Sequence, residues 1–258
     1  MGHPSLDLTS RTAVVIGGTS GIGLALALGL AEAGANVIST GRRAELVQAA
    51  AAKIQALGRK SLAVSCDITQ RSSITALLDA VCAEFGAVDI LVNCAGTTRR
   101  TPTVDVSEEE WNSIMETNLN GTLRACQIFG RKMTERKYGR IINIASLSSF
   151  VGLYEVAAYG ASKSAVASLT KSLAVEWARH GVCVNAIAPG VFRTDMNTAL
   201  LDSTGRGKEF LLRTPMQRFG KVEELVGAAV FLASDAASFV TGHILAVDGG
   251  FLASGVNQ

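Results

Sequence analysis

Three side chains in the middle of this sequence could together move a proton. Tyr159 and Lys163 lie four residues apart in a stretch with helical character, from Ala157 to Ala178, so both should project from one face of a helix. A free tyrosine has a pKa of about 10, and an ammonium group nearby favours its phenolate form. We therefore expect Lys163 to lower the pKa of Tyr159. The pair alone is equally typical of an ordinary amphipathic helix, because such pairs are common.

Ser146 follows the apolar, strand-like run from Arg140 to Ala145. Its hydroxyl should therefore lie at the carboxyl end of a strand, where open α/β sheets bind ligands. A carbonyl oxygen placed there could receive hydrogen bonds from both Ser146 and Tyr159. The chemistry indicated is proton exchange with a carbonyl or alcohol oxygen.

A glycine-rich loop lies near the beginning of the chain. The run Thr12 to Gly17 predicts a short buried strand, Gly17 to Gly23 a turn, and the following alanine- and leucine-rich stretch a helix to about Ala33. Glycines at such a turn let backbone N–H groups approach a pyrophosphate, and the start of the helix adds its positive dipole end. Between a strand and a helix, the loop predicts a dinucleotide site.

Strand-like and helix-like runs alternate along the whole chain. The predicted strands are 12–17, 36–40, 61–65, 88–92, 140–145, 182–188 and 243–247, and the predicted helices are 21–33, 43–57, 70–85, 107–134, 156–180 and 222–233. This alternation favours right-handed βαβ units and a parallel sheet covered on both faces. With 258 residues, 48% hydrophobic content and no linker-like stretch, the chain is expected to form one domain over residues 1–258.

Taken together, the motifs resemble the short-chain dehydrogenase/reductase family from about Leu8 to Leu252. The spacing Gly17-x-x-x-Gly21-x-Gly23 differs from the commonest dinucleotide fingerprint, and it is joined by further family motifs. These are Asp67, Asn93-Cys94-Ala95-Gly96, Asn118 to Gly121, the Ser146, Tyr159 and Lys163 set, Pro189-Gly190 with Thr194, and Val247 to Gly250. The resemblance implies a Rossmann-type α/β fold, a doubly wound parallel sheet of about seven strands with helices on both faces. Cys94 stands where the family often has a second Asn, which leaves one local hydrogen bond in doubt.

The resemblance also implies a role for each matching residue. Ser146 would polarise the substrate carbonyl, Tyr159 would be the general acid or base, Lys163 would lower the tyrosine pKa and hold the nicotinamide ribose, and Asn118 would hold a water of the proton relay. The implied cofactor contacts are Gly17, Thr19, Ser20, Gly21, Ile22, Gly23, Asp67, Ile68, Asn93, Ala95, Gly96, Tyr159, Lys163, Pro189, Gly190 and Thr194.

Charge at the end of the second predicted strand bears on the choice of cofactor. A carboxylate there would accept hydrogen bonds from the ribose 2′-hydroxyl of NAD, whereas arginine would attract the 2′-phosphate of NADP. The chain has Arg42 and Arg43 at this point and no acid until Glu45, which favours NADP(H) over NAD(H). One or both arginines could instead be solvated first-turn residues of the next helix.

The substrate is predicted from weaker signals. The segment 192–219 has mixed polarity and glycines, which suits a lid, and several stretches look most like the gluconate 5-dehydrogenase and deoxygluconate dehydrogenase branch of the family. That implies a sugar acid, whose carboxylate we expect Arg99 or Arg100 to hold, with Arg193 as a weaker candidate. Exposed surface charge or contacts between subunits would explain these arginines equally well. A 3-oxoacyl-carrier-protein reductase and a non-catalytic dinucleotide-binding regulator stay open as alternatives.

Composition argues against several other classes. A net charge of +2 without long basic runs is atypical of nucleic-acid binding, and no apolar stretch approaches the roughly 18 residues of a membrane helix. Neither a signal sequence nor a cysteine or histidine pattern for disulfides or a metal is recognisable, so a cytoplasmic, metal-free enzyme acting on a small molecule is predicted. The family resemblance implies a homotetramer built on helices 107–134 and 156–180 and the last strand.

Overall fold

The fold is a six-stranded parallel sheet covered by helices on both faces. The computed structural model describes residues 3–193, 201 and 204–255. The strands are β1 Thr12–Ile16, β2 Asn36–Thr40, β3 Ile90–Asn93, β4 Gly139–Ile144, β5 Val182–Pro189 and β6 Ile244–Val247. Their order across the sheet is β2-β1-β3-β4-β5-β6, and every neighbouring pair is parallel. The predicted Rossmann-type α/β class is confirmed.

Side chains alternate between the two faces of the strands, which sorts the core into two layers. In β1, Ala13 and Val15 point to one face of the sheet and pack with one group of three helices. Val14 and Ile16 point to the other face and pack with a second group of three helices. The first group of helices is α1 Gly21–Glu32, α2 Ala44–Ala56 and α8 Val226–Ala233, and the second is α3 Arg71–Phe85, α5 Gly121–Arg136 and α6 Ala157–Trp177. Two further helices, α4 Glu108–Met115 and α7 Gly205–Arg213, lie outside these clusters.

The predicted strand at 61–65 is wrong in the part of the chain that the structure describes. The segment runs beside the outer edge of β2, where Val37 N–H donates to the Lys60 carbonyl and Cys66 N–H to the Gly41 carbonyl. Between these two points the hydroxyl of Thr40 bonds the carbonyl of Val64. A side chain therefore takes the place of the regular backbone ladder that a strand requires, and the sheet has six described strands instead of about seven.

The predicted helix 107–134 is divided into α4 and α5 by a π-helical turn, Glu116–Asn120. Such turns insert one residue into a helix and often occur at functional sites. Ser107 caps the start of α4 by accepting a hydrogen bond from Glu110 N–H, as its position before three glutamates suggests. The inserted turn carries Asn118 into the buried interior.

A cluster of charged side chains lies at the amino-terminal ends of the strands. The guanidinium groups of Arg11 and Arg140 lie 4.2 and 4.7 Å from the centre of the Tyr138 ring. Both also pair with Asp235, each at 3.2 Å. Arg140 is only 5% exposed, so its charge depends on this carboxylate. No helix of the described residues is long and apolar enough to span a membrane.

Candidate active site

A crevice opens at the carboxyl ends of the strands, where the chain order changes direction between β1 and β3. The loops that follow these two strands meet there, at Gly17 and Ala95. A methyl group on Gly17 would lie 2.5 Å from Ala95 N, and one on Gly23 would lie 2.0 Å from Gly17 O. Gly17 also has a φ of +84°, which favours glycine. The loop therefore admits no side chains at these points, as a close approach of a ligand to the backbone requires.

Helix α1 begins directly after this loop, and its first turn can receive an anion. Ser20 is the N-cap residue in extended conformation, and its side chain makes no capping hydrogen bond in the described structure. The first N–H groups of the helix therefore stay open to a ligand, with the positive end of the helix dipole behind them. These observations fit the pyrophosphate of a dinucleotide, held by Ser20, Gly21 and Ile22 of the predicted set.

The predicted selectivity residues lie at the end of β2, beside the glycine loop. Ser39 Oγ donates to the Gly18 carbonyl over 2.6 Å, and a methyl group on Gly41 would contact Thr19 at 3.2 Å. Arg42 and Arg43 follow and are exposed. Hydrogen bonds from Thr69, with a contribution from the Arg42 charge, hold the pKa of Asp67 below its usual value. The structure thus brings Thr19, Arg42 and Asp67 together at one end of the crevice.

Two predicted cofactor residues turn their side chains into the core instead. Asn93 is 3% exposed, and its Nδ2 donates to Asn143 Oδ1 over 2.9 Å and to Cys126 Sγ over 3.3 Å. Ile68 packs in the layer of α3 and α5 and lies against Gly121. Any contact of these two residues with a ligand would have to come from the backbone.

Ser146, Tyr159 and Lys163 converge at the carboxyl end of β4. The amine of Lys163 lies 5.8 Å from the centre of the Tyr159 ring and donates to the Ile144 carbonyl over 2.7 Å. Lys163 is only 5% exposed, and this burial lowers its pKa to about 8. Burial also raises the pKa of Tyr159, while a hydrogen bond with the Ser146 side chain acts in the opposite direction. The pKa of Tyr159 is therefore raised, where the sequence predicts that Lys163 lowers it.

Side-chain hydrogen bonds hold the loop of Ser146 against helix α6. A 3-10 turn, Leu147–Ser149, begins at Ser146, whose hydroxyl accepts from Ser148 N–H over 3.2 Å. Ser149 Oγ donates to the Lys163 carbonyl over 2.8 Å, and Ser164 Oγ donates to the Ser148 carbonyl over 3.3 Å. The turn and the helix are thus joined at two points, which holds the hydroxyl of Ser146 beside that of Tyr159.

Asn118 is fully buried and links the loop after β3 to helix α6. Its Oδ1 accepts from Thr97 N–H over 2.8 Å, and its Nδ2 donates to the Thr97 carbonyl over 2.9 Å and to Ser162 Oγ over 3.0 Å. Ser162 in turn donates to the Tyr159 carbonyl over 2.7 Å. Both amide hydrogens of Asn118 are therefore used by the protein. A methyl group on Gly96 would lie 3.4 Å from Asn118 Oδ1 and 3.5 Å from Lys163 Nζ, so these predicted residues share one site.

Cys94, the departure from the family pattern, packs with the layer of α1 and α8. Burial raises the pKa of its thiol to about 11, and the charge of Lys163 partly opposes this. The thiol is therefore neutral at ordinary pH and adds no charge beside Lys163. The amide hydrogen bond that an Asn could make is replaced by apolar packing.

The predicted lid begins and ends at neighbouring points. Phe192 and Gly220 form a parallel bridge, with Gly220 N–H donating to the Val191 carbonyl over 2.9 Å and Arg193 N–H to the Gly220 carbonyl over 3.2 Å. Pro189 and Gly190 lead into it, and Gly190 packs against Asp248. Thr194, which the sequence predicts to bind the cofactor, lies outside the described residues.

The predicted substrate arginines, Arg99, Arg100 and Arg193, are all exposed. The Nε of Arg100 pairs with Glu155 at 2.5 Å. Arg206, on helix α7 in the predicted lid segment, is a further cation in this region, and the sequence does not predict it. Its Nη1 donates to the Tyr154 carbonyl over 2.9 Å.

The sequence matches known proteins over nearly its whole length. Residues 17–252 match the family model described as enoyl-(acyl carrier protein) reductase. The chain is 42% identical over 255 residues to a gluconate 5-dehydrogenase of Gluconobacter oxydans, which covers 98% of this chain and 100% of that protein. It is 43% identical over 250 residues to a 2-dehydro-3-deoxy-D-gluconate 5-dehydrogenase of Bacillus subtilis, which covers 97% and 98%.

A solved structure shows the same fold. It is a gluconate 5-dehydrogenase from Burkholderia cenocepacia in complex with NADP and tartrate. It superposes with a TM-score of 0.94 at 40% identity, covering 97% of this chain and 98% of that one. At this TM-score and identity the overall architecture is shared.

Proposed function

Because the chain belongs to the short-chain dehydrogenase/reductase family, we propose that it interconverts a secondary alcohol and a ketone on a sugar acid, such as gluconate and 5-ketogluconate. The family and branch predicted from the motifs are confirmed by the relatives described above. Both named relatives are sugar-acid dehydrogenases. The observation that carries the proposal is the convergence of Ser146, Tyr159 and Lys163 beside the glycine-lined crevice.

The cofactor proposed is NADP(H), with NAD(H) as the less favoured choice. The glycine loop and the first turn of α1 would hold the pyrophosphate, and Arg42 and Arg43 would pair with a 2′-phosphate. The bound structure of the Burkholderia relative contains NADP, which supports this choice. When bound, the nicotinamide ring supplies the hydride for ketone reduction or accepts it in alcohol oxidation.

The residues of the chain would manage the proton. In reduction, Ser146 donates a hydrogen bond to the ketone oxygen, and Tyr159 gives its hydroxyl proton to that oxygen as the carbon gains a hydride. The raised pKa of Tyr159 keeps the phenol protonated at neutral pH, as a proton donor requires. The ammonium group of Lys163 then stabilises the phenolate that remains. Oxidation runs through the same groups in reverse.

Asn118 is a positioning residue in this scheme. Its side chain joins Thr97 to Ser162 and so holds α6 against the loop after β3. The water that the sequence analysis assigns to Asn118 stays a prediction. The segment 192–219 as a lid, the single domain, the homotetramer and the cytoplasmic location are likewise proposals that rest on the sequence and the family.

A carrier-protein reductase is the second candidate, because the matching family model is described as an enoyl-(acyl carrier protein) reductase. NADPH consumption should be measured with 5-ketogluconate, an acetoacetyl thioester and a neutral diketone in parallel. We expect 5-ketogluconate to give the highest kcat/KM. A higher value for the thioester would favour the second candidate and overturn the sugar-acid proposal.

Replacing Tyr159 tests the proton-transfer role directly. Tyr159→Phe should lower kcat by about 10²- to 10⁴-fold and preserve the fluorescence enhancement of NADPH on binding, because the ring still packs and only the proton donor is lost. Tyr138→Phe removes a hydroxyl from the opposite edge of the sheet and is the matched control, with turnover expected within twofold. Undiminished turnover in the Tyr159 variant would remove this residue from its role.

A further inference from the structure

Lid helix α7 carries a partly buried arginine that no part of the proton-transfer site uses. Arg206 donates from Nη1 to the Tyr154 carbonyl over 2.9 Å, and its guanidinium lies 5.5 Å from the centre of the Phe210 ring. Its Nε is buried and has no hydrogen-bond partner among the described residues. A buried donor of a charged group that lacks an acceptor is costly. The arrangement therefore points to an acceptor that a ligand would provide.

Among the described residues around Arg206, three arginines face two carboxylates. Burial lowers the pKa of Arg206, and the nearby charge of Arg100 acts in the same direction. Glu155 is the carboxylate that faces both arginines, and it is already paired with Arg100 at 2.5 Å. Glu209, on the same helix, pairs with Arg213 one turn further on. The charges of Glu155 and Glu209 both act on Arg206, but each of these carboxylates forms its ion pair with another arginine. The guanidinium of Arg206 therefore has no ion pair of its own among the described residues, which favours the binding of an anion.

The backbone around this cluster is held firmly. Glu155 has a φ of +61°, an uncommon conformation for a residue other than glycine. Its carbonyl accepts from Thr101 N–H over 2.9 Å, and Thr101 Oγ1 bonds Glu110 Oε2 over 3.0 Å. The loops that carry Arg100 and Glu155 are therefore tied to each other and to α4. A fixed pair of loops under a lid arginine is a preorganised place for a ligand group.

This cluster is also near enough to the proton-transfer site to hold the other end of one small substrate. Gly96 lies beside Lys163, and Arg100 follows four residues later, at most about 14 Å along an extended chain. Tyr154, which Arg206 contacts, belongs to the loop that joins Ser146 to Tyr159. Arg206 thus contacts the segment that connects Ser146 to Tyr159.

We infer that Arg206, with the Arg100 and Glu155 pair behind it, binds the carboxylate of the substrate and makes the enzyme selective for sugar acids over neutral polyols. This inference rests on the proposed function and refines it. The sequence predicts Arg99, Arg100 or Arg193 as the partner of the carboxylate. The structure instead points to Arg206, a residue of helix α7.

The test compares acid and neutral compounds in Arg206→Gln, Arg206→Lys and Arg213→Gln. For the glutamine variant at Arg206 we expect KM for gluconate to rise about 10- to 100-fold, the range that corresponds to losing a charged hydrogen bond. The kcat should stay within about threefold, and KM for D-sorbitol and for NADP should not change. The lysine variant should recover much of the loss, because it restores a positive charge. Arg213→Gln, an exposed arginine of the same helix, should behave as the wild type.

Calorimetric titration of gluconate and of D-sorbitol onto the NADPH-bound proteins separates this inference from the proposed function. Weaker gluconate binding in Arg206→Gln, with unchanged sorbitol binding, supports the subsite even if sugar-acid turnover is absent. Unchanged gluconate binding in that variant, or an equal loss for both compounds, overturns the subsite and leaves the proposed function standing. A wild-type protein that binds gluconate no better than sorbitol overturns both.

Discussion

Replacing Lys163 by methionine should stabilise the fold at neutral pH while removing activity. Lys163 is 5% exposed, and burial lowers its pKa to about 8. A buried ammonium group is less stable in the folded protein than in the unfolded chain, where water solvates it. Methionine has a similar length and no charge, so it should fill the same space without that penalty.

The magnitude follows from the two pKa values. A fall from 10.5 to about 8 corresponds to about 3 kcal/mol of destabilisation when the amine is charged in both states. Against this, the variant loses the 2.7 Å hydrogen bond from Lys163 to the Ile144 carbonyl, a loss of about 1 kcal/mol. The free energy of unfolding at pH 7 should therefore rise by about 2 kcal/mol in Lys163→Met.

The pH dependence has a definite sign. Between about pH 8 and 10.5, the unfolded chain holds a proton on Lys163 that the folded protein has lost. The stability of the wild type therefore rises with pH relative to the variant in this window. The destabilisation by Lys163 is fully present below about pH 8 and disappears above 10.5. Near pH 10 the two proteins should unfold at similar urea concentrations.

Urea unfolding, followed by tryptophan fluorescence at equal protein concentration, measures the free energy of unfolding of the wild type and the variant at pH 7 and at pH 10. Lys171→Met, an exposed lysine of the same helix, is the matched control and should change the free energy of unfolding by less than about 0.5 kcal/mol. A variant at Lys163 that is less stable than the wild type at pH 7 would refute the reasoning. A stability difference that stays the same at both pH values would refute it equally.

Two further predictions concern the cofactor and the opposite edge of the sheet. Arg42→Asp should reduce the ratio of kcat/KM for NADPH to that for NADH by about 10- to 100-fold, because a charged contact is lost and a repelling carboxylate is gained; a ratio that stays within threefold would contradict the assignment. Asp235→Asn should lower the free energy of unfolding by about 1–2 kcal/mol, since the buried charge of Arg140 loses its partner. Glu135→Gln, in an exposed ion pair, is the control for that measurement, with a change below about 0.5 kcal/mol.

The sequence predicts the buried strands well because their signal is local. Doubly covered strands read as continuous apolar runs, and β2 and β5 begin at the predicted residues. The segment 61–65 also has strand-like alternation, and Leu62 and Val64 do pack against the core. Whether it forms a ladder depends on how it meets the edge of β2, where the Thr40 side chain intervenes. That contact joins residues far apart in the chain, and local pattern carries no information about it.

The π turn at Asn118 escapes prediction for a related reason. The apolar period of 107–134 is that of one continuous helix, and one inserted residue hardly alters it. The insertion is stabilised by tertiary partners, because the Asn118 side chain bonds Thr97 in one loop and Ser162 in another helix. The family resemblance identified this residue as functional, while its position inside a turn is visible only in three dimensions.

The two ends of the proposed substrate site differ in how the chain encodes them. Tyr159 and Lys163 are four residues apart on one helix, so their spacing, supported by the other family motifs, predicts the group that exchanges the proton. The role proposed for Arg206 depends on its proximity to Tyr154 and Arg100, which only the fold brings near it. A family can therefore retain one chemistry through a short motif, while changes at Arg206 and its neighbours alter whether the substrate is acidic or neutral. On this argument, selectivity in related enzymes should follow the charge at position 206 more closely than any feature of the proton-transfer motif.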